Sequence, residues 1–255
     1  MKKQKINLTI GWLYPDLMST YGDRGNISCL TKRCEWRGIE AGVLRINTDT
    51  KLEKLEKLDL IFGGGAQDRQ QEIVMRDLKG SKGKIIKGLT EKGIPALFVC
   101  GAPQLMGKYY EPGFGKRIEG LGIFDMISIH PGINEKRLIG NIVAKTQLNN
   151  FRNKIIVGFE NHGGKTYLGK KVKPFASVLY GNGNNGKDKT EGVVYKSAIG
   201  CYFHGPLLPK NPEIADYLIE KALENKYGKE IKLKKLDDFL AQKARETILR
   251  RYNIA

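Results

Sequence analysis

The run Ile94-Pro95-Ala96-Leu97-Phe98-Val99-Cys100-Gly101-Ala102-Pro103-Gln104 restricts the fold more than any other stretch of this chain. Ala96 to Val99 is apolar at every position and too short for a helix, so it reads as a buried strand. Gly101 permits a sharp turn directly after it, from which a helix can start. An elbow of this kind sits in a mostly parallel sheet, and the preceding residues have the matching rhythm. Residues 7–13, 41–46 and 58–62 read as strands, and residues 26–37 and 84–92 as helices. Gly63-Gly64-Gly65 ends the third strand in a flexible loop before a helix start at Asp68-Arg69-Gln70-Gln71-Glu72. Alternation of this sort predicts an α/β fold built on a mostly parallel central sheet.

After Gly107 the pattern changes. Short apolar runs at 123–129, 138–144, 154–159, 177–180, 192–196 and 199–203 are separated by Gly and Asn turns, which predicts added antiparallel strands. The segment Gly181-Asn182-Gly183-Asn184-Asn185-Gly186-Lys187-Asp188 reads as a mobile surface loop. Helices over 212–226 and 236–252 close the chain, the first with Ile214, Tyr217, Leu218, Lys221 and Ala222 at helical spacing. No repeat and no linker compels a cut, so residues 1–255 are expected to form one domain.

Composition excludes several classes. Cys29, Cys34, Cys100 and Cys201 form no CxxC pair, which fits neither a disulfide framework nor a zinc site and favours a reducing compartment. No apolar run approaches the roughly 20 residues needed to span a bilayer, and Met1-Lys2-Lys3-Gln4-Lys5 does not open a signal peptide. A soluble cytoplasmic protein is expected. The net charge of +17 suits an anionic substrate, partner or membrane surface, but the lysines are dispersed and no aromatic-basic stripe accompanies them, so specific nucleic-acid binding is not expected.

A cysteine in an apolar run is by default a buried structural one. At a strand end before a helix, however, backbone N–H groups and the helix dipole favour the thiolate, and Cys100 then reads as a nucleophile in need of a histidine. The chain offers His130, His162 and His204. His204 follows the apolar run Ala198-Ile199-Gly200-Cys201-Tyr202-Phe203 and precedes Gly205-Pro206, so it also stands at a strand end, where α/β sheets build their sites. His162, in Glu160-Asn161-His162-Gly163-Gly164, reads as an exposed turn and is the main competitor for the role of base. Cys201 is expected to point away from His204 into the core. The glycine triplet is either a plain strand-to-helix turn or a ligand loop; with no Gly-Lys-Ser/Thr ending it is a poor phosphate cradle.

Taken together, Gly63-Gly64-Gly65, Cys100-Gly101 with Gln104, and Tyr202-Phe203-His204-Gly205-Pro206 resemble the class I, triad-type glutamine amidotransferases of the cobyric acid synthase-like group. Tyr21-Gly22-Asp23-Arg24-Gly25-Asn26, Glu119-Gly120-Leu121-Gly122-Ile123, Arg137-Leu138-Ile139-Gly140, Gly158-Phe159-Glu160-Asn161-His162, Tyr180-Gly181-Asn182-Gly183 and Leu207-Leu208-Pro209-Lys210-Asn211 narrow the likeness to the GatD family, the glutaminase subunits of lipid II isoglutaminyl synthases. The resemblance implies a three-layer amidotransferase fold. It also implies hydrolysis of L-glutamine to glutamate and ammonia, with Cys100 as nucleophile and His204 as base. The backbone N–H groups of Gly65 and Gly101 would receive the oxyanion, Arg137 would grip the substrate α-carboxylate, and Gln104 would line the pocket or buttress the elbow.

Most triad-type members carry a Glu two residues after the catalytic His, but that position here is Pro206. A Cys100–His204 dyad is therefore expected, with the imidazole oriented by a backbone carbonyl or by an acid from elsewhere. Phe98 and Ala102 also replace glycines common in the wider class. No metal or cofactor is expected in this chain. The resemblance implies a heterodimer with a MurT-like Mur ligase subunit that holds ATP and Mg and amidates the D-glutamate of lipid II to D-isoglutamine for peptidoglycan synthesis, with contact at the inner membrane face only peripheral. A cobyrinate-type synthetase partner, or a non-catalytic ligand-binding protein on the same scaffold, are the alternatives.

Overall fold

A computed structural model describes residues 5–132, 134–148 and 154–254; Met1-Lys2-Lys3-Gln4 of the amino-terminal run lie outside them. The first half runs β1 (Asn7–Leu13), α1 (Arg24–Glu35), β2 (Glu40–Ile46), α2 (Leu52–Leu55), β3 (Leu60–Gly63), α3 (Asp68–Leu78), α4 (Ser81–Glu91), β4 (Ala96–Val99) and α5 (Gly101–Met106). Short strands follow: β5 (Tyr109–Glu111), β6 (Ile118–Glu119), β7 (Met126–Ile129), β8 (Leu138–Thr146), β9 (Ile155–His162), β10 (Lys165–Leu168), β11 (Ala176–Tyr180), β12 (Thr190–Glu191), β13 (Val193–Tyr195) and β14 (Ala198–Cys201). The helices α6 (Leu207–Lys210), α7 (Pro212–Tyr227) and α8 (Phe239–Arg251) close the described chain.

The central sheet has the order β13-β14-β4-β3-β1-β2, parallel throughout except for β13 at the edge. The run read as a buried strand shows why it sits in the middle. All four residues of β4 are buried; Leu97 and Val99 join the apolar layer of α1 and α7, while Ala96 and Phe98 join that of α3 and α4. A strand buried on both faces needs helices on both sides, and the result is a three-layer α/β arrangement. Pro212 at the first turn of α7 and Gly228, with φ +66°, at its end bound that helix.

The remaining strands form two further four-stranded sheets, β10-β7-β5-β6 and the antiparallel β12-β11-β8-β9. An antiparallel bridge between Phe159 and His204 ties β9 to the chain leaving β14. Some boundaries move from those expected. The run at 123–129 is a strand only from Met126, because the Ile123 and Phe124 N–H groups both turn back to Met106 O. The run at 199–203 leaves the ladder after Cys201, because the Tyr202 N–H donates to the Glu191 carboxylate at 2.7 Å.

The segment 181–188 is not the mobile loop expected of its composition. Glu160 accepts the Asn182 and Gly183 N–H groups, both at 2.8 Å, and Asn184 Nδ2 donates to Gly192 O at 3.0 Å. Gly183, Asn184 and Asn185 are buried. Its glycines and asparagines make backbone turns and side-chain hydrogen bonds instead of slack chain. Among the described residues no helix is long and apolar enough to cross a membrane.

Candidate active site

The carboxyl ends of β14, β4 and β3 lie side by side in the central sheet, and each delivers one part of the site. Register pairs Cys201 with Val99 and Gly63 with Phe98, so Cys100 leaves β4 level with the chain leading to His204 on one side and the glycine loop on the other. Cys100 holds φ +55° and ψ −101°, a left-handed conformation that an L-residue adopts at a cost of about 1–3 kcal/mol. The strain is local to the elbow. The Cys100 N–H donates to Cys201 O at 2.8 Å and α5 packs beneath, so the surrounding fold holds the residue in place. Gly101 must be glycine, because a Cβ there would come within 2.9 Å of Ala66 N and 3.1 Å of Gln71 Nε2.

His204 is fully buried beside the thiol. Its Nδ1 lies 3.1 Å from Asp23 Oδ1, and the ring meets Tyr21 edge-on with centroids 4.9 Å apart. Nε2, the other ring nitrogen, has no oxygen or nitrogen partner among the described residues. Burial alone would push the His204 pKa down, but the neighbouring Cys100 and the Asp23 carboxylate outweigh it and push the imidazole up to about 10. The geometry therefore favours a protonated imidazole held between the Asp23 carboxylate and Cys100.

Asp23, buried at the amino-terminal end of α1, is the residue that sequence reading did not assign. It stands where an acid from elsewhere was expected to orient the imidazole, and Asp23, His204 and Cys100 are linked in a row through the ring. Its second oxygen, Oδ2, accepts the Gly65 N–H at 2.6 Å. The Gly65 N–H expected to receive the oxyanion is thus engaged by a strong acceptor in this structure. The next N–H along, that of Ala66, has no acceptor among the described residues.

The cleft in front of Cys100 has a volume of about 700 Å³, and its wall includes Gln71, Gln104, Tyr110, Arg137, Asn161 and His162. Arg137 is exposed at the cleft, where Nε donates to Asn161 Oδ1 at 3.0 Å and Nη2 to Asn161 O at 3.1 Å. Gln104 is buried, its Nε2 donating to the Tyr202 hydroxyl at 3.2 Å and its Oε1 accepting from Gln71 at 3.0 Å. His162 is not the exposed turn expected. It is 2% exposed, stacks on Tyr202 at 3.7 Å, and its Nδ1 donates to Gly164 O at 2.8 Å. Burial pushes its pKa down to about 3, so it stays neutral at physiological pH. His130 lies at the cleft wall and accepts the Gly132 N–H at 3.2 Å. Cys201 is 1% exposed within the core. No group of three or more His, Cys, Asp or Glu among the described residues is placed to hold a metal.

Residues 9–212 match the family model of the CobB/CobQ-like glutamine amidotransferase domain. The chain is 40% identical over 239 residues to the lipid II isoglutaminyl synthase (glutamine-hydrolyzing) subunit GatD of Streptococcus pneumoniae, covering 94% of this chain and 89% of that protein. It is 39% identical over 246 residues to the same subunit of Staphylococcus aureus, covering 96% of each. In fold it is similar to a crystal structure of a glutamine amidotransferase, with a TM-score of 0.58 and 17% identity over 84% of this chain and 98% of that one.

Proposed function

This chain belongs to the CobB/CobQ-like glutamine amidotransferase family, and on that premise we propose that it is the glutaminase subunit of a lipid II isoglutaminyl synthase, hydrolysing L-glutamine with Asp23, His204 and Cys100. The observation that carries the reading is the alignment of Cys100 and His204, which follow the neighbouring strands β4 and β14, with Asp23 at the start of α1, the His204 imidazole being raised in pKa between a carboxylate and a thiol. Arg137 binds the α-carboxylate of glutamine at the mouth of the cleft, and the side-chain amide reaches down to Cys100. The thiolate attacks the amide carbon, and the N–H groups of Ala66 and Gly101 receive the developing oxyanion. His204 hands its proton to the departing ammonia and then takes one from the water that cleaves the γ-glutamyl thioester. Asp23 keeps the Nδ1 proton in place throughout, so Nε2 is the nitrogen that exchanges protons with the reactants.

Ammonia is protonated quickly in water, so a glutaminase needs a consumer at hand. The consumer in this proposal is a MurT-like Mur ligase subunit in a heterodimer. With its own ATP and Mg it activates the α-carboxylate of D-glutamate in lipid II, which accepts the ammonia and becomes D-isoglutamine. The site is cytoplasmic in this reading, and membrane contact is peripheral and made through lipid II. The test is co-expression with the Mur ligase-like subunit followed by measurement of glutamate release and lipid II amidation. Glutamine-dependent amidation that Cys100→Ala abolishes while free ammonia restores it is the expected result. Co-purification with a cobyrinate-type synthetase instead, or no glutamate release by the complex, would overturn it.

A further inference from the structure

The amide of Gln71 is placed to do more than brace the fold. Gln71 lies one turn into α3, is 2% exposed and lines the same cleft as Cys100. Its Nε2 donates to Ala66 O at 3.2 Å and to Gln104 Oε1 at 3.0 Å. These two acceptors fix which end of the amide is which, because the flipped amide would set Oε1 against two other oxygens. Oε1 is thus a buried acceptor of known orientation, and no donor among the described residues reaches it. Buried polar atoms without a partner are rare, and one carried by a residue that lines a reactive cleft points to a ligand. The amide also stands against the nucleophile's turn, since Nε2 lies 3.1 Å from where a Gly101 Cβ would be.

Resting on the glutaminase reading, we propose that Gln71 Oε1 accepts a hydrogen bond from the –NH2 of the substrate carboxamide, making Gln71 a specificity-determining residue for glutamine over glutamate. A primary amide under attack needs donors at its oxygen and an acceptor at its nitrogen. The free N–H groups of Ala66 and Gly101 serve the first need and Gln71 the second. The same oxygen repels the γ-carboxylate of glutamate, which has no N–H to offer, and so favours release of the product. A neutral acceptor suits this role better than a carboxylate, which would compete for the substrate's α-ammonium group and for the His204 imidazolium.

The test compares L-glutamine with its γ-methyl ester, which presents the same carbonyl to Cys100 but has no N–H, using the complex of this chain with its synthetase subunit. In Gln71→Met the ratio of kcat/KM for glutamine to that for the ester should fall about tenfold or more, because the amide loses its acceptor and the ester has none to lose. Inhibition by glutamate should strengthen relative to the parent. An equal loss on both substrates, as a purely structural brace would give, or an unchanged ratio would overturn the inference while leaving the glutaminase reading intact. A parent complex inactive on both substrates would overturn both. Melting temperature and iodoacetamide labelling of Cys100 show whether the variant is folded, and Gln71→Ser provides the same comparison if Gln71→Met is not.

Discussion

Asp23 carries two duties with one carboxylate, Oδ1 toward His204 and Oδ2 toward the Gly65 N–H. Asp23→Asn should therefore lower kcat by about 10²- to 10⁴-fold while changing the KM for glutamine little, since the substrate does not touch it. The sign of the pH effect follows from the raised imidazole. A histidine held near 10 when folded contributes stability fully present below its unfolded value near 6.5, which is lost as pH rises through 10. Removing the charge of Asp23 should move the alkaline limb of kcat/KM to lower pH, read from a rate profile. At this scale the placement of Cys100 and His204 after adjacent strands was legible because each ends an apolar run, a local signal. Asp23 was not, because 181 residues separate it from His204 and no spacing rule connects them. The occupied Gly65 N–H was hidden for the same reason.

At the scale of elements, the strand that delivers the base is shaped by a buried acid. Glu191 in β12 accepts the Tyr202 N–H and so draws the chain out of the β14 ladder toward His204. Burial pushes its carboxyl up to about 8, against the pull of the Tyr202 and Gly192 N–H groups. With a folded value above the unfolded 4.5, stability declines as pH rises from 4.5 to 8. Glu191→Gln keeps the acceptor and removes the charge. Its melting temperature should gain on the parent's by at least about 3 °C between pH 5 and pH 9 in matched thermal scans, and a constant gap would contradict this. The early strands and α7 were legible from apolar runs and helical spacing. The segment 181–188 was misread because its order comes from Glu160 on β9, a distant residue that composition does not reveal.

On the scale of the whole molecule, the central sheet brings the carboxyl ends of its adjacent strands β3, β4 and β14 together, and the antiparallel sheet containing β9 brings Asn161 and His162 over the same cleft. The parallel half was legible as an alternation of strands and helices. That the later strands form two sheets of their own was not, because short strands separated by turns fit several pairings equally well. In the proposed mechanism this assembly forms and breaks a thioester at Cys100. Mass spectrometry of the partner-bound protein, quenched in acid during turnover of glutamine, tests it most directly. The peptide carrying Cys100 should gain one γ-glutamyl group that Cys100→Ala lacks; an active complex with no adduct there, or with adducts only on Cys29, Cys34 or Cys201, would contradict the account.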